Sequence, residues 1–183
     1  MLEGEDKLIK RAQKGEGDCF GDLYDHYLPP LYRYILLRVS SKQEAEDLTH
    51  EVFVSAWENL KGYRLRGFPF SSWLYNIARN KVIDYYRTRK INVDIDEVDP
   101  DLFKLASSVE KEIDFALDFK KVKTAMSKLG EEQQDVLIMR FVDDLSHREI
   151  AVAMEKTEGA VRLVQHRALQ SLREILEHGR PNN

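Results

Sequence analysis

Cysteine is nearly missing from this chain: Cys19 stands alone among 183 residues. A single thiol excludes an internal disulfide framework and any cysteine-built zinc module. Proline and glycine are also scarce, at 5 and 9 residues, which excludes a collagen-like or low-complexity chain. No apolar run approaches the roughly 18 residues that cross a bilayer. The best stretches, YILLRV and VLIMRFV, are short and interrupted by arginine. The opening residues MLEGEDKLIKRAQ are charged throughout and lack the apolar core of a signal peptide. Phosphate-loop GxxxxGK[ST] and nucleophile-elbow GxSxG patterns are absent. His50-Glu51 opens like a zinc-protease HExxH, but Val54 stands where the second histidine belongs. The acids from Asp94 to Asp99 lack the glycine and terminal glutamate of a calcium loop. The expectation is a cytoplasmic protein with no enzymatic activity, cofactor, metal, small-molecule substrate or membrane insertion.

What is present is charge, unevenly placed. The formal net charge is −4, which looks wrong for a nucleic-acid binder until the chain is divided. From Lys61 to Lys90 the basic residues Lys61, Arg64, Arg66, Arg79, Lys81, Arg87, Arg89 and Lys90 face one acid, Asp84. From Asn92 to Asp118 the balance reverses, with acids from Asp94 through Asp118 against Lys104 and Lys111. Blocks of opposite sign point to surfaces that meet different partners.

Helical periodicity dominates, and no segment alternates with a period of two. Helices are predicted over Asp6–Lys14, from a cap at Asp18 toward Val39, over Lys42–Leu60 behind a Ser41/Glu44 capping box, and from Ser71 or Ser72 to Arg89. Pro29 and Pro30 should kink or divide the second of these, since proline removes an amide donor and clashes with the preceding turn. After the acidic stretch, helices are predicted over Val109–Lys128, Glu131–Val142, Ser146–Met154 and Glu158–Glu177, with Gly130, Ser146 and Thr157 as start signals. The fold class is therefore all-α: two small helical domains, 1–90 and 109–183, joined by a flexible acidic linker at 91–108.

Two constellations carry chemistry. In LSHREIAVAMEKTEGAVRLVQHRAL, a short helix and a three-residue turn lead to a helix with Val161, Val164, Ala168 and Leu172 inward. Arg162, His166 and Arg167 then face outward, where a recognition helix presents side chains to a major groove. The same spacing also fits a solvated helical hairpin. The basic stretch interleaves cations with Tyr63, Phe68, Phe70, Trp73, Tyr75, Tyr85 and Tyr86, the combination that holds single-stranded bases. Trp73, Tyr75 and Tyr85 are expected in the core, and Tyr63 and Phe68 exposed in the Gly/Pro loop.

In order, AEDLTHEVFVSAWENL, FSSWLYNIARNKVIDYYRTRK, an acidic tether, LGEEQQDVLIMRFVDDLSHREIAVAM and EGAVRLVQHRALQSLR resemble an extracytoplasmic-function (ECF) sigma factor of the sigma-70 family. The likeness runs from about Lys7 to Leu176. It implies a two-domain partner of bacterial RNA polymerase core. By resemblance Asp47, Leu48, Glu51, Phe53 and Trp57 dock on the clamp of the beta-prime subunit. The loop bearing Tyr63, Arg64 and Phe68 captures a non-template base of the minus-ten element, aided by Asn80, Asp84 and Arg87. Arg140 meets phosphate, and Gly159, Arg162, His166 and Arg167 read the minus-thirty-five element. The resemblance also implies an anti-sigma partner, and with the chain closing at Asn183 no further C-terminal sensor domain is expected. Many members have glycine and then an apolar residue where Glu155 and Lys156 stand, and a left-handed turn residue is less comfortable for glutamate than for glycine, so the family's turn conformation does not carry over to this chain. A helix-turn-helix repressor with an N-terminal sensing bundle is the alternative reading.

Overall fold

The computed structural model describes residue 2 and residues 4–64, 67–88 and 121–178. Their helices are α1 (Glu5–Ala12), α2 (Gly17–Val39), α3 (Lys42–Asn59), α4 (Phe70–Thr88), α5 (Glu131–Phe141), α6 (His147–Ala153) and α7 (Glu158–His178), with a 3-10 turn at Leu60–Gly62. A further helical run covers 121–126, and the described residues contain no strand. The all-α class stands. The acidic stretch 91–108 and most of the helix predicted over Val109–Lys128 lie outside the described residues.

Local signals place most helix starts. Ser41 Oγ accepts from the Glu44 amide at 3.4 Å. Ser146 Oγ accepts from the Glu149 amide at 3.2 Å while Glu149 accepts from the Ser146 amide at 2.7 Å, a reciprocal box. Thr157 Oγ1 takes the Ala160 amide at 3.2 Å, and Gly130 stands at the cap of α5. Asp18 is not a cap. Helix α2 begins one residue earlier, and Asp18 lies in its first turn, where its charge opposes the positive end of the helix dipole. Helix α4 starts before both serines because the Phe70 amide finds an acceptor in Glu5, at 3.2 Å. Pro29 and Pro30 neither divide nor end α2. The carbonyls they leave without a helical donor belong to Asp25 and His26, both exposed residues.

The two helical groups pack against each other in this arrangement. Val136, Ile138, Met139, Ile150 and Val161 share one core with Leu23, Leu31, Tyr34, Leu74 and Tyr75. Leu129, Leu137 and Ala168 form a smaller satellite beneath α7. Helix α5 lies on α2, and α6 lies on α4.

Polar groups fix this packing. Asp135 of α5 has no exposed surface. Its Oδ1 accepts from Tyr34 Oη at 2.8 Å and from Arg38 Nε at 2.7 Å. Its Oδ2 accepts from Arg79 Nε at 3.0 Å. Arg38 also donates to Gln134 Oε1 at 2.6 Å, and its Nη2 is a buried donor with no partner. Nearby, Arg33 donates twice to Asp143 Oδ1, at 2.7 and 3.0 Å. Burial drives the Asp143 carboxyl above its ordinary range, and Arg33 opposes that shift.

Removing one member of a buried ion pair strands the other charge, at a cost of about 3–5 kcal/mol. Asp135→Ala is therefore expected to lower stability in urea by about that amount, because Arg38 would remain buried without its carboxylate. A loss of less than about 1 kcal/mol, the scale of an exposed pair, would show that the packing does not depend on this group.

Candidate nucleic-acid interface

Helix α3 turns one ridge to solvent. Asp47 and Glu51 are exposed, and Trp57 is 42% exposed. Glu51 pairs with Lys81 of α4 at 2.9 Å. Leu48 and Phe53, predicted on the same docking surface, are buried. Phe53 packs against Phe20 and Tyr24, with ring centroids 6.5 and 4.5 Å apart. These two residues anchor the helix from within and are not available to a partner. Val54, apolar and standing where a second zinc-binding histidine would be, is 42% exposed. It follows Glu51 by three residues on that ridge, and this spacing was the signal.

The loop after α3 is half-buried rather than open. Tyr63 packs against Phe70 at 5.2 Å and Trp73 at 4.8 Å. Burial, with the Glu5 and Asp6 carboxylates nearby, pushes its phenol up to about 12. The group stays neutral and able to donate. The Phe68 ring lies under the Arg148 guanidinium at 4.9 Å, so neither ring is exposed as expected. Arg64 is exposed. A recess of about 350 Å³ opens here, lined by Tyr63, Phe68, Trp73 and Asn76 and roofed by Val152 and Glu155 of the C-terminal group.

Helix α4 brings Asn80 and Asp84 to one exposed face. Arg87 pairs with Asp84 at 3.0 Å across one turn. Asn76, one turn before Asn80, donates to the Ala153 carbonyl at 3.0 Å, which places α6 beside the recess. Tyr75 is core, as expected, while Trp73 and Tyr85 are partly buried. Arg89 lies outside the described residues.

The helix-turn-helix geometry holds. Ile150, Ala151, Met154 and Val161 are buried in the main core. Glu155 takes φ 54°, so the turn is left-handed despite the missing glycine. The following amide compensates, Lys156 N donating to Ala151 O at 2.8 Å. Arg162, His166 and Arg167 are exposed on the outer face of α7. Arg162 stands 3.5 Å from Glu158, a surface pair of little strength. Arg140 is set apart from them, donating to Asp144 at 3.2 Å and to the Leu145 carbonyl at 3.0 Å. Among the described residues, no cluster suited to a metal ion and no helix able to cross a membrane is found.

Residues 23–91 match the Sigma-70 region 2 family, and residues 125–174 match the Sigma-70 region 4 family. The ECF RNA polymerase sigma factor BldN of Streptomyces coelicolor is 36% identical over 171 residues, which cover 93% of this chain and 65% of BldN. The ECF sigma factor SigD of Mycobacterium tuberculosis is 31% identical over 180 residues, covering 94% of this chain and 85% of SigD. Two solved structures share the fold at 21% identity. CnrH, solved with the cytosolic domain of CnrY, aligns with a TM-score of 0.74 over 97% of this chain and 99% of its own. RpoE of Bartonella quintana, solved with the anti-sigma factor NepR, aligns at 0.71 over 88% and 98%.

Gly159 offers a test that separates folding from recognition. A Cβ there would meet nothing within 4 Å, so packing does not require glycine. Gly159→Ala is expected to raise thermal stability by up to about 1 kcal/mol through helix propensity. If the open space serves a nucleic-acid backbone, the same change weakens duplex binding. Gains in both measurements would remove α7's first turn from the interface.

Proposed function

The chain belongs to the extracytoplasmic-function sigma factors, alternative sigma factors that direct promoter-specific initiation by RNA polymerase, and from that membership we propose its division of labour. The observation that carries it is the ordered pair of matches, region 2 at 23–91 and region 4 at 125–174, on one chain. A repressor with an N-terminal sensing bundle has no use for region 2. The protein acts in the cytoplasm as an initiation factor without catalysis of its own.

On this reading residues 1–90 bind core polymerase and the minus-ten element, 91–108 tether, and 109–183 read the minus-thirty-five element. Asp47, Glu51 and Trp57, with Val54 beside them, form the ridge for the beta-prime clamp. The recess beside Tyr63 and Phe68 receives an extruded base, and Asn80 and Asp84 contact its neighbours. Arg87 and Arg140 meet phosphates. Arg162 is suited to guanine, since guanidinium donates twice to its major-groove edge. His166 and Arg167 flank it. An apolar recess of about 560 Å³ lined by Leu37, Tyr86, Met126, Phe141 and Leu172 suits an anti-sigma partner.

The packed arrangement cannot serve both elements together. Sites about 25 base pairs apart stand roughly 85 Å apart at 3.4 Å per pair. A compact chain of this length has a radius of gyration of about 16 Å. The two helical groups therefore part when the promoter is engaged.

Reconstitution with core polymerase tests the assignment. Charge reversal at both Asp47 and Glu51 is expected to abolish core binding while changing stability by less than about 0.5 kcal/mol, as is usual for exposed charges. Unchanged core affinity would remove α3 as the docking helix.

Promoter-variant profiling tests the two reading surfaces. Arg162→Ala should cost about 1–3 kcal/mol at one upstream position, and Asn80→Ala should act only at the minus-ten element. Arg87→Ala should weaken all promoters and reduce the salt slope by about one. An Arg162→Ala effect at minus-ten positions would sink the domain assignment.

A further inference from the structure

Helix α1 lies upstream of the matched region 2, which begins at residue 23, yet it holds both ends of the loop between α3 and α4. At the start of the loop, Gln13 Nε2 donates to the Leu60 carbonyl at 2.9 Å and to the Tyr63 carbonyl at 2.7 Å. A primary amide carries two N–H donors, so this group commits both to the loop. At the far end sits Glu5, only 5% exposed. One of its carboxylate oxygens accepts from the Phe70 amide at 3.2 Å, and the other accepts from the Tyr27 hydroxyl. Phe70 opens α4, so the carboxylate also faces the positive end of that helix's dipole. Ile9 and Ala12, both buried, seat α1 in the core. Between these fixed ends lies the recess beside Tyr63 and Phe68.

We propose that Glu5 and Gln13 are positioning residues for base capture at the minus-ten element. They pin the loop's two ends so that the recess exists before a base arrives. Neither touches nucleic acid. The proposal rests on the reading of this loop as the base-capturing one. Its physical basis is preorganisation: a loop ordered only on binding charges its ordering entropy to affinity, and a loop already pinned does not. Gln13 is well suited to the task, because the isosteric carboxylate would turn two acceptor oxygens toward two carbonyls.

The test uses holoenzyme on a fork-junction promoter in which 2-aminopurine replaces each non-template minus-ten base in turn. A fluorescence rise reports extrusion from the stack. Gln13→Glu is expected to weaken capture at one base by about tenfold, the scale of one lost base contact. Core binding and minus-thirty-five selectivity should not change. Glu5→Leu should behave likewise, and Glu5→Gln, which keeps an oxygen for the Phe70 amide, should restore most of the signal. Phe68→Ala in the same assay serves as the reference. Normal capture by Gln13→Glu, with capture lost in Phe68→Ala, would overturn the proposal alone. Normal capture in both would overturn the loop's assignment and the proposal with it. Should Glu5→Leu fail to fold, Gln13→Glu decides. Equal losses in core binding and at both elements would reduce α1 to a general support and overturn the proposal.

Discussion

A carboxylate without exposed surface must have its oxygens met by donors, and Asp135 draws all of its side-chain donors from outside its own helical group. Tyr34 and Arg38 reach it from α2, and Arg79 reaches it from α4. Three donors from two helices leave α5 little freedom to slide or rotate. The rest of the C-terminal group follows from that constraint. With α5 placed, α6 falls along α4, Asn76 meets the Ala153 carbonyl, and Arg148 covers Phe68. The recess beside Tyr63 and Phe68 is thereby roofed by part of the helix-turn-helix.

The same interactions explain how a chain of net charge −4 carries nucleic-acid surfaces. In the packed form, acids of one half neutralise cations of the other. Asp143 takes Arg33, and Asp135 takes Arg38 and Arg79. Arg162, His166 and Arg167 remain open on α7. Buried ion pairs are a suitable adhesive for an interface that, on the proposed function, parts. Their attraction is largely offset by desolvation, so returning both charges to water or to phosphate costs little net. The shared apolar core still opposes separation, so the ion pairs lower the cost of parting relative to a wholly apolar seam without removing it.

Much of this was legible in the sequence, for identifiable reasons. Ser41, Gly130, Ser146 and Thr157 mark helix starts because capping is a local interaction spanning three residues. The helix-turn-helix is legible because its inward positions repeat over two adjacent helices. The continuity of α2 through Pro29 and Pro30 was not, since it depends on which carbonyls face water. Nor was the burial of Leu48 and Phe53 beside an exposed Trp57. Periodicity identifies an apolar face, but α3 packs against both α2 and α4, and only the assembled structure divides its apolar residues between core and surface. Glu5 gave no signal at all. Its partner Phe70 lies 65 residues away, beyond any pattern in a helical window.

The central claim is that the packed arrangement held by Asp135 is the free form, and that promoter engagement separates its halves. Spin labels at Lys42→Cys and Gln170→Cys, both on exposed positions, report that separation directly once the buried Cys19 is changed to serine. In the free protein the account predicts one narrow distance, within the roughly 40 Å diameter of a compact chain of this length. With core polymerase and promoter bound, the distance should lengthen by tens of ångströms toward the roughly 85 Å spacing of the two elements. An unchanged distance on the promoter, or an already extended one in the free protein, would contradict it.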